Sequence, residues 1–362
     1  VVVTSYDLLR RDETLYENQK FYACILDEAQ AIKNHTTQKY KAVCGVNSRV
    51  RFALTGTPVE NRLGELWSIF SFLMPGYLPP YKSFCSRFEK PIVQEEDQAA
   101  VRRLNQLTGP FILRRMKADV LKELPPKTEN VYRIELEEEQ RKLYLAAVVD
   151  AREKLRAAKP EDKMTVFAVL MRLREICCDP RLIADNWEGG SAKLDACVEL
   201  ISGAVEGGHR ILLFSQFTSM LELLAKRLDE AGVSHFTLQG STPKPVRAEQ
   251  VRRFNQGEAD VFLISLRAGG TGLNLTAADI VIHYDPWWNL AAQNQATDRA
   301  YRIGQRNPVQ VYRLIAQDTI EEKIVELQQA KQSLADTVTG GADGAILSMN
   351  PEQLLQLLGE EA

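Results

Sequence analysis

Short apolar runs alternate with stretches of helical periodicity over the first part of the chain. Three runs, Val1–Thr4, Tyr22–Leu26 and Val50–Leu54, are rich in β-branched and aromatic residues, which predicts buried strands. Polar or turn-forming residues follow each run. Apolar strands separated by helices are typical of a parallel sheet covered on both faces, so this pattern predicts an α/β fold.

The pattern then becomes mainly helical. Apolar residues between Leu63 and Leu73 recur at helical spacing, and a longer helical stretch runs from Glu137 to about Cys177. Prolines interrupt the pattern at several points, and Gly189–Ser191 has the composition of a linker.

A second series of strands and helices follows the linker. Its strands are predicted at Ile211–Phe214, His235–Leu238, Val261–Ser265, Ile280–Tyr284 and Val309–Ile315. Helices such as Ser219–Ala231 and Val246–Asn255 separate them. By this count, the region is a complete five-stranded α/β lobe.

Five regions follow from these patterns. They are the carboxyl-terminal part of a first lobe (1–75), a helical insertion and linker (76–195), a second lobe (196–316), a charged amphipathic brace helix (317–336) and a tail without a predicted structure (337–362).

Charge and composition narrow the function classes. The net charge of -3 excludes a generally basic nucleic-acid coat but leaves room for a local basic groove. No apolar run approaches the ~18 residues that cross a bilayer, so we expect no membrane partner. The six cysteines form no C-x-x-C pair, which favours free thiols without disulfide partners, and the four histidines lack metal-ligand spacing.

Two adjacent acids, Asp27 and Glu28, directly follow a predicted strand. Ligand sites in parallel sheets gather at the carboxyl ends of strands. There, one carboxylate can hold Mg²⁺ through its waters while the other orients or deprotonates an attacking water. The alternative is a capping turn, in which Asp27 caps a helix that begins near Ala29.

Two further loops follow predicted strands. Thr55–Pro58 combines small hydroxyls with a glycine, which lets the backbone approach a partner closely; the alternative is an ordinary β-turn. Ser265–Asn274 has three glycines within four residues, a composition that can present backbone N–H groups to anionic oxygens. The alternative there is a flexible turn.

Basic and aromatic residues lie near the end of the second series. Arg299 and Arg302 are three residues apart, so on a helix they share one face and can contact a γ-phosphate. The alternative is a solvated basic face. Ser241, Arg247 and Trp288 are candidates for contact with a nucleic-acid backbone, although the tryptophans can equally pack in the core.

Taken in order, these motifs resemble the motor of the Swi/Snf family of superfamily-two helicase-like ATPases. The first-lobe matches are Leu26–Gln30 with the Walker B box (motif II) and Leu54–Asn61 (LTGTPVEN) with motif III. The second-lobe matches are Ile211–Phe217 with motif IV, Ser265–Asn289 with motif V and its extension, and Gln295–Gln305 (QATDRAYRIGQ) with motif VI.

The resemblance implies two RecA-like parallel-sheet lobes that flank an ATP cleft, the first lobe being truncated at its N-terminus. It implies ATP hydrolysis with Mg²⁺, coupled to tracking along double-stranded DNA and remodelling of a DNA-bound protein. Asp27 would hold Mg²⁺ through water, Glu28 would activate the attacking water, and Arg299 and Arg302 would be arginine fingers. The implied ATP-binding or coupling residues are Gln30, Thr55, Gly56, Thr57, Gly270, Gly272 and Gln295.

The sequence departs from the family pattern in three places. Gln30 stands where the relatives usually have His, and Tyr301 stands where many have His. The triphosphate-binding pattern G-x-x-x-x-G-K-[ST] does not occur. The family places that loop upstream of residue 1, so we expect a fragment that does not hydrolyse ATP alone. We also expect its first lobe to have open strand edges and incomplete burial.

Two other functions remain open at this stage. One is a helicase that separates strands, and the other is a catalytically silent DNA-binding piece. The sequence does not identify the remodelled target. We expect a cytoplasmic, nucleoid-associated location if the source is bacterial and a nuclear one if it is eukaryotic.

Overall fold

The structure is a computed structural model that describes residues 1–56, 63–95, 97–115, 120–121, 123–159, 162–184, 186–269, 272–328 and 350–359. The chain divides into two compact units, one built mainly from Val1–Arg114 and the other from Arg115–Leu327 with the C-terminal residues.

The first unit contains a parallel pair of strands, β1 (Phe21–Leu26) and β2 (Ser48–Ala53), in register from Phe21 opposite Ser48 to Leu26 opposite Ala53. Around them lie α1 (Tyr6–Arg11), α2 (Glu13–Glu17), a 3₁₀ turn (Ala29–Ile32) and α3 (Gln38–Gly45). Their apolar side chains form a small core that includes Leu9, Leu26, Ile32 and Val43. Both strands therefore match the sequence prediction to within two residues.

The prediction of a buried strand at Val1–Thr4 is wrong. These residues form no strand, and Val1, Val2 and Val3 are exposed. No described strand pairs with them, so their β-branched side chains gain neither a ladder of hydrogen bonds nor a covered face. Regular secondary structure begins with α1. Ser5 is its N-cap residue, and the Ser5 hydroxyl accepts a hydrogen bond from the Leu8 amide.

The expected incomplete burial of this lobe is confirmed. Tyr22, Ile25 and Phe52 are 72%, 63% and 53% exposed, although all three lie within the two strands. Exposed aromatic and branched side chains on a sheet are unusual for a soluble surface and leave apolar area uncovered.

The rest of the first unit is helical, as predicted. It comprises α4 (Leu63–Leu73), α5 (Tyr81–Phe84), a π-helical turn (Cys85–Glu89), α6 (Lys90–Gln94), α7 (Gln98–Thr108) and a 3₁₀ turn (Gly109–Phe111). Leu66, Phe70, Phe84 and Leu104 form its core. Of the predicted insertion and linker, residues 76–114 lie in the first unit and 115–195 in the second.

The second unit contains a parallel six-stranded sheet. The strands are β3 (Lys127–Ile134), β4 (Ile211–Ser215), β5 (His235–Leu238), β6 (Val261–Ser265), β7 (Ile280–His283) and β8 (Val309–Ala316), in the order β3-β8-β7-β4-β6-β5. The five predicted strands are confirmed. The predicted count is one short because β3, an edge strand with seven of its eight residues exposed, lacks an apolar run.

Helices cover both faces of this sheet. The described helices of the second unit are α8 (Glu138–Ala157), α9 (Lys163–Cys178), α10 (Ala192–Glu206), α11 (Thr218–Glu230), α12 (Lys244–Asn255), α13 (Leu266–Gly269), α14 (Leu290–Thr297), α15 (320–328) and α16 (Pro351–Leu357). The long helical stretch predicted from Glu137 to about Cys177 consists of α8 and α9, and Asp162 begins the second helix by capping the Thr165 amide. No described helix is long and apolar enough to span a membrane.

Part of the tail, for which the sequence predicted no structure, is ordered. α16 begins with a capping box formed by Asn350 and Gln353, and Leu354 is fully buried in the cluster formed with α8 and α9. The Arg152 guanidinium donates to the Leu358 carbonyl at the other end of α16. A buried ion pair between Lys193 on α10 and Glu321 on α15, with an N–O distance of 2.7 Å to Oε1, ties a second C-terminal element to the sheet.

Candidate functional site

The acid pair lies at the carboxyl end of β1, with both side chains exposed. Glu28 has φ 49° and ψ 53°, a left-handed conformation that costs a non-glycine residue on the order of 1 kcal/mol. The Asp27 Oδ1 atom accepts from the Glu28 amide at 2.9 Å. Neither carboxylate caps the 3₁₀ turn that follows, so the structure does not support the capping alternative. Backbone strain at one of two adjacent exposed acids is typical of a functional site.

A hydrogen-bonded relay joins the acid pair to the loop after β2. The Gln30 Nε2 atom donates to Glu28 Oε2 at 2.6 Å, and the Thr55 hydroxyl donates to Gln30 Oε1 at 2.7 Å. The backbone supports the same junction, because Leu54 donates to the Leu26 carbonyl at 2.7 Å. Three of the predicted site residues therefore form one connected group in the first unit.

Tyr6 also belongs to this group, although the sequence did not single it out. Its hydroxyl donates to the Asp27 carbonyl at 2.7 Å across 21 positions of the chain. Burial, with the negative charges of Asp27 and other neighbours, raises the pKa of Tyr6 to about 12. The phenol therefore remains a hydrogen-bond donor at neutral pH and holds the backbone on which the acids stand.

Gly56 is exposed beside this group, and a Cβ atom at its position would meet nothing within 4 Å. Its lack of a side chain leaves open space next to Thr55. Thr57 and Gly270 lie outside the residues that the structure describes. Gly272 has φ +39°, so the backbone conformation rather than crowding favours glycine there.

The arginine pair lies in the second unit. Arg299 is 7% exposed, and its carbonyl accepts from the Leu275 amide at 3.0 Å. The Arg302 Nη1 atom donates to the Leu273 carbonyl at 3.3 Å. The prediction that both arginines share a helix face is wrong, because α14 ends at Thr297 and the chain continues as a turn with bonds such as Arg299 N to Ala296 O, 3.1 Å.

α14 carries the remaining predicted residue of this group, the half-buried Gln295. A histidine that the sequence did not single out anchors the end of the same helix. His283 Nε2 lies 2.9 Å from the Thr297 hydroxyl, and both residues are buried. Burial, assisted by the positive Arg313, lowers the pKa of His283 to about 3, so the ring is neutral.

Trp288 lies in the core, which confirms the packing alternative. It is 4% exposed, and the Arg174 guanidinium carbon lies 4.4 Å from the centre of its ring. Arg174 is itself fully buried and donates to Asp285 Oδ2 at 2.9 Å and to the Pro286 carbonyl at 2.7 Å. Because its ring is covered, Trp288 is not available for direct contact with DNA.

The other two candidate DNA contacts lie around the start of α12. Ser241 is exposed in the turn before the helix, which is closed by the Thr242 hydroxyl accepting from the Gln239 amide at 3.0 Å. Arg247 is half-buried on the helix. Both remain predictions.

Among the described residues, no group of three or more His, Cys, Asp or Glu side chains could hold a metal ion. The two acids fit Mg²⁺ held through water, because hard oxygen ligands and retained waters are what this ion prefers.

Comparisons with known proteins agree with these motifs. Residues 1–182 match the family model of the SNF2-related domain, and residues 192–304 match that of the helicase conserved C-terminal domain. An uncharacterized ATP-dependent helicase of Mycoplasma pneumoniae is 40% identical over 362 residues, which is 99% of this chain and 34% of that protein. A mouse SWI/SNF-related regulator of chromatin (subfamily A member 1) is 37% identical over 93% of this chain and 34% of its own length. The chain thus spans about a third of these relatives.

Among solved structures, the SWI2/SNF2 ATPase core of Sulfolobus solfataricus in complex with double-stranded DNA is similar to this chain. The identity is 34% and the TM-score is 0.55, over 99% of this chain and 76% of that one. This match confirms the predicted fold class, which is α/β with RecA-like lobes.

Proposed function

The chain belongs to the SNF2-related family of ATP-dependent, helicase-like proteins, and we propose that it forms part of a motor that hydrolyses ATP to track along double-stranded DNA. The observation that carries this proposal is the relay from Glu28 through Gln30 to Thr55. It joins a carboxylate suited to orienting water to a second loop, as coupling of hydrolysis to a conformational change requires.

The acid pair of the first unit would act on the nucleotide. Asp27 would hold Mg²⁺ through its waters, and Glu28 would orient the attacking water. When bound, MgATP supplies the phosphoryl group that this water attacks. The chain contains no G-x-x-x-x-G-K-[ST] segment, so we propose that these residues do not hydrolyse ATP without a triphosphate-binding loop.

Arg299 and Arg302 lie in the second unit. Arg299 and Arg302 would spread the charge that develops on the γ-phosphate, as arginine fingers do. Bonds to the backbone at Leu273 and Leu275 support this role, because they hold the turn that carries both arginines.

Double-stranded DNA would be the track, and a DNA-bound protein the remodelled target. The solved Sulfolobus relative is bound to double-stranded DNA, and the mouse relative is named as a regulator of chromatin. Ser241 and Arg247 would contact the phosphate backbone. Because such contacts release counterions, binding should weaken steeply with salt and depend little on sequence.

ATP hydrolysis by the complete gene product that contains this chain tests the proposal. We expect stimulation by duplex DNA, little stimulation by single strands and no strand displacement. Stimulation by single strands with displacement would instead support a strand-separating helicase. Absence of any DNA-dependent hydrolysis would support a silent DNA-binding protein.

Substitution of the acid pair tests the chemistry directly. We expect Glu28→Gln to bind ATP but to hydrolyse it very slowly, whereas Glu17→Gln, an exposed control on α2, should behave like the wild type. Normal turnover by Glu28→Gln would refute the role assigned to Glu28.

A further inference from the structure

One buried side chain in the second unit, Gln305, makes five hydrogen bonds. It is 7% exposed, and its Nε2 atom donates to the carbonyls of Ala278 (2.7 Å), Ala300 (3.2 Å) and Thr276 (3.3 Å). Its Oε1 atom accepts from the amides of Arg306 (2.8 Å) and Asn307 (2.9 Å). A primary amide offers two N–H donors and two acceptor sites, so the three carbonyls share two N–H groups and Gln305 uses its full capacity.

These bonds join two segments that are far apart in the sequence. The first, the motif V loop, is residues 272–278, and the second, the arginine turn, is residues 299–307. Two bonds already described also run between them, one to the Arg299 carbonyl and one from Arg302. Gln305 adds the contacts with Thr276 and Ala278, and through Ala300 it holds the residue next to Arg299. Loop and turn therefore form one hydrogen-bonded body.

The geometry demands a glutamine. Gly304 has φ +102°, which turns the chain so that the next side chain points back under the turn. Glutamate has the same shape but no N–H donor, so it would place a carboxylate against three carbonyl oxygens. Asparagine keeps the amide but is shorter by one methylene group.

We propose that Gln305 is a positioning residue that fixes Arg299 and Arg302 against the motif V loop. The proposal rests on the function proposed above. It assigns the position of the two arginines within the second unit to one neutral side chain. Gln305 therefore contributes to the rate through geometry.

The test compares Gln305→Glu with Gln256→Glu in the complete gene product. Gln256 is exposed, and its side-chain Oε1 atom accepts from Arg252 Nη1 at 2.6 Å. Its substitution by glutamate therefore makes the same change of charge at a site away from the arginine turn. We expect Gln305→Glu to lower the kcat of the DNA-stimulated reaction about 10²-fold, the scale of a 1 Å displacement of a catalytic group. The KM for ATP should change much less, and Gln256→Glu should match the wild type.

A merely structural role would lower the thermal midpoint without lowering the kcat of the folded protein. Circular dichroism and the thermal midpoint therefore accompany the kinetics. A Gln305→Glu variant that folds and keeps the wild-type kcat in the presence of DNA would overturn the proposal. A wild-type protein without DNA-stimulated hydrolysis would instead overturn the proposed function, together with the kinetic role of Gln305.

Hydrogen exchange on the wild-type chain gives a second measurement that needs neither catalysis nor a folded variant. We expect the amides of Leu275, Arg306 and Asn307 to open together, with protection factors within about 10-fold of one another, because segments of one cooperative body share an opening free energy. Opening of the motif V loop without the arginine turn would overturn the proposal. If Gln305→Glu fails to fold, this result and the milder Gln305→Asn decide.

Discussion

His283 provides a sharp test of the packing around the arginine turn, because its burial should make the stability of the protein depend on pH by a definite amount. Its pKa is lowered from 6.5 to about 3 in the folded protein, first by burial and then by Arg313. Lys127 acts in the same direction, and Glu129 opposes it. Glu129 is already paired with Lys127 at 2.6 Å and with Arg313, so it offers the imidazolium little compensation.

A group whose folded pKa is depressed stabilises the protein above its unfolded pKa and loses this contribution as the pH falls toward the folded value. For His283 the window runs from 6.5 down to about 3. Between pH 7 and pH 5 the folded ring stays neutral while the unfolded ring gains a proton. With the two pKa values of His283, this single site should cost about 2 kcal/mol of unfolding free energy over that interval.

Urea unfolding of the wild type and of His283→Gln at pH 7, 6 and 5 measures this contribution. Glutamine can keep a hydrogen bond to the Thr297 hydroxyl but does not titrate. The other three histidines are present in both proteins and cancel in the difference. We expect the wild type to lose about 2 kcal/mol more than the variant between pH 7 and pH 5. Equal pH dependence in both proteins would refute the buried, neutral state of His283.

Three further substitutions test other contacts. Gln30→Ala removes the middle of the relay, and we expect ATP turnover to fall about 10-fold to 10²-fold with ATP binding retained; the exposed Gln19→Ala is the control, and unchanged turnover would contradict the relay. Arg299→Ala should lower the DNA-stimulated rate of phosphate release about 10³-fold or more, and a rate near that of the wild type would reject the finger assignment. Lys193→Met leaves the fully buried Glu321 without its cation and should cost about 3–5 kcal/mol in urea unfolding, whereas adding Glu321→Leu should recover most of that loss; equal stability of both variants would argue against a strong ion pair.

The strands that are buried on both faces were predicted from the sequence. Two segments, β3 and Val1–Thr4, were not predicted correctly, because their composition does not match the surroundings they have in the fold. β4, β6 and β7 are fully buried, so each forms a continuous apolar run that periodicity detects. β3 pairs with β8 on one side only, and its alternating charges bond to Arg313 and Glu322, so it lacks this signal. Val1–Thr4 has the composition of a strand without a described neighbour to pair with. In both segments, the presence or absence of a neighbouring strand determined whether a strand formed, and the local sequence pattern does not contain this information.

The same limit applies to the candidate site. The order of motifs identified Asp27 and Glu28, but the bonds that position them span 21 positions to Tyr6 and 25 positions from Gln30 to Thr55. Trp288 follows a predicted strand through Asp285 and Pro286, and this local pattern left both core packing and contact with DNA open. Arg174, more than one hundred positions earlier, covers it. Residue type predicts which groups are available, whereas long-range packing decides which of them remain accessible.

The identity of residue 30 has a physical consequence for the relay. A histidine, which the relatives usually carry there, could donate to Glu28 and accept from Thr55 in only one of its two neutral tautomers, and it would lose the acceptor on protonation. The Gln30 amide carries both functions at once and does not titrate. The connection between the acid pair and the loop after β2 should therefore persist through the pH range in which a histidine relay would be lost.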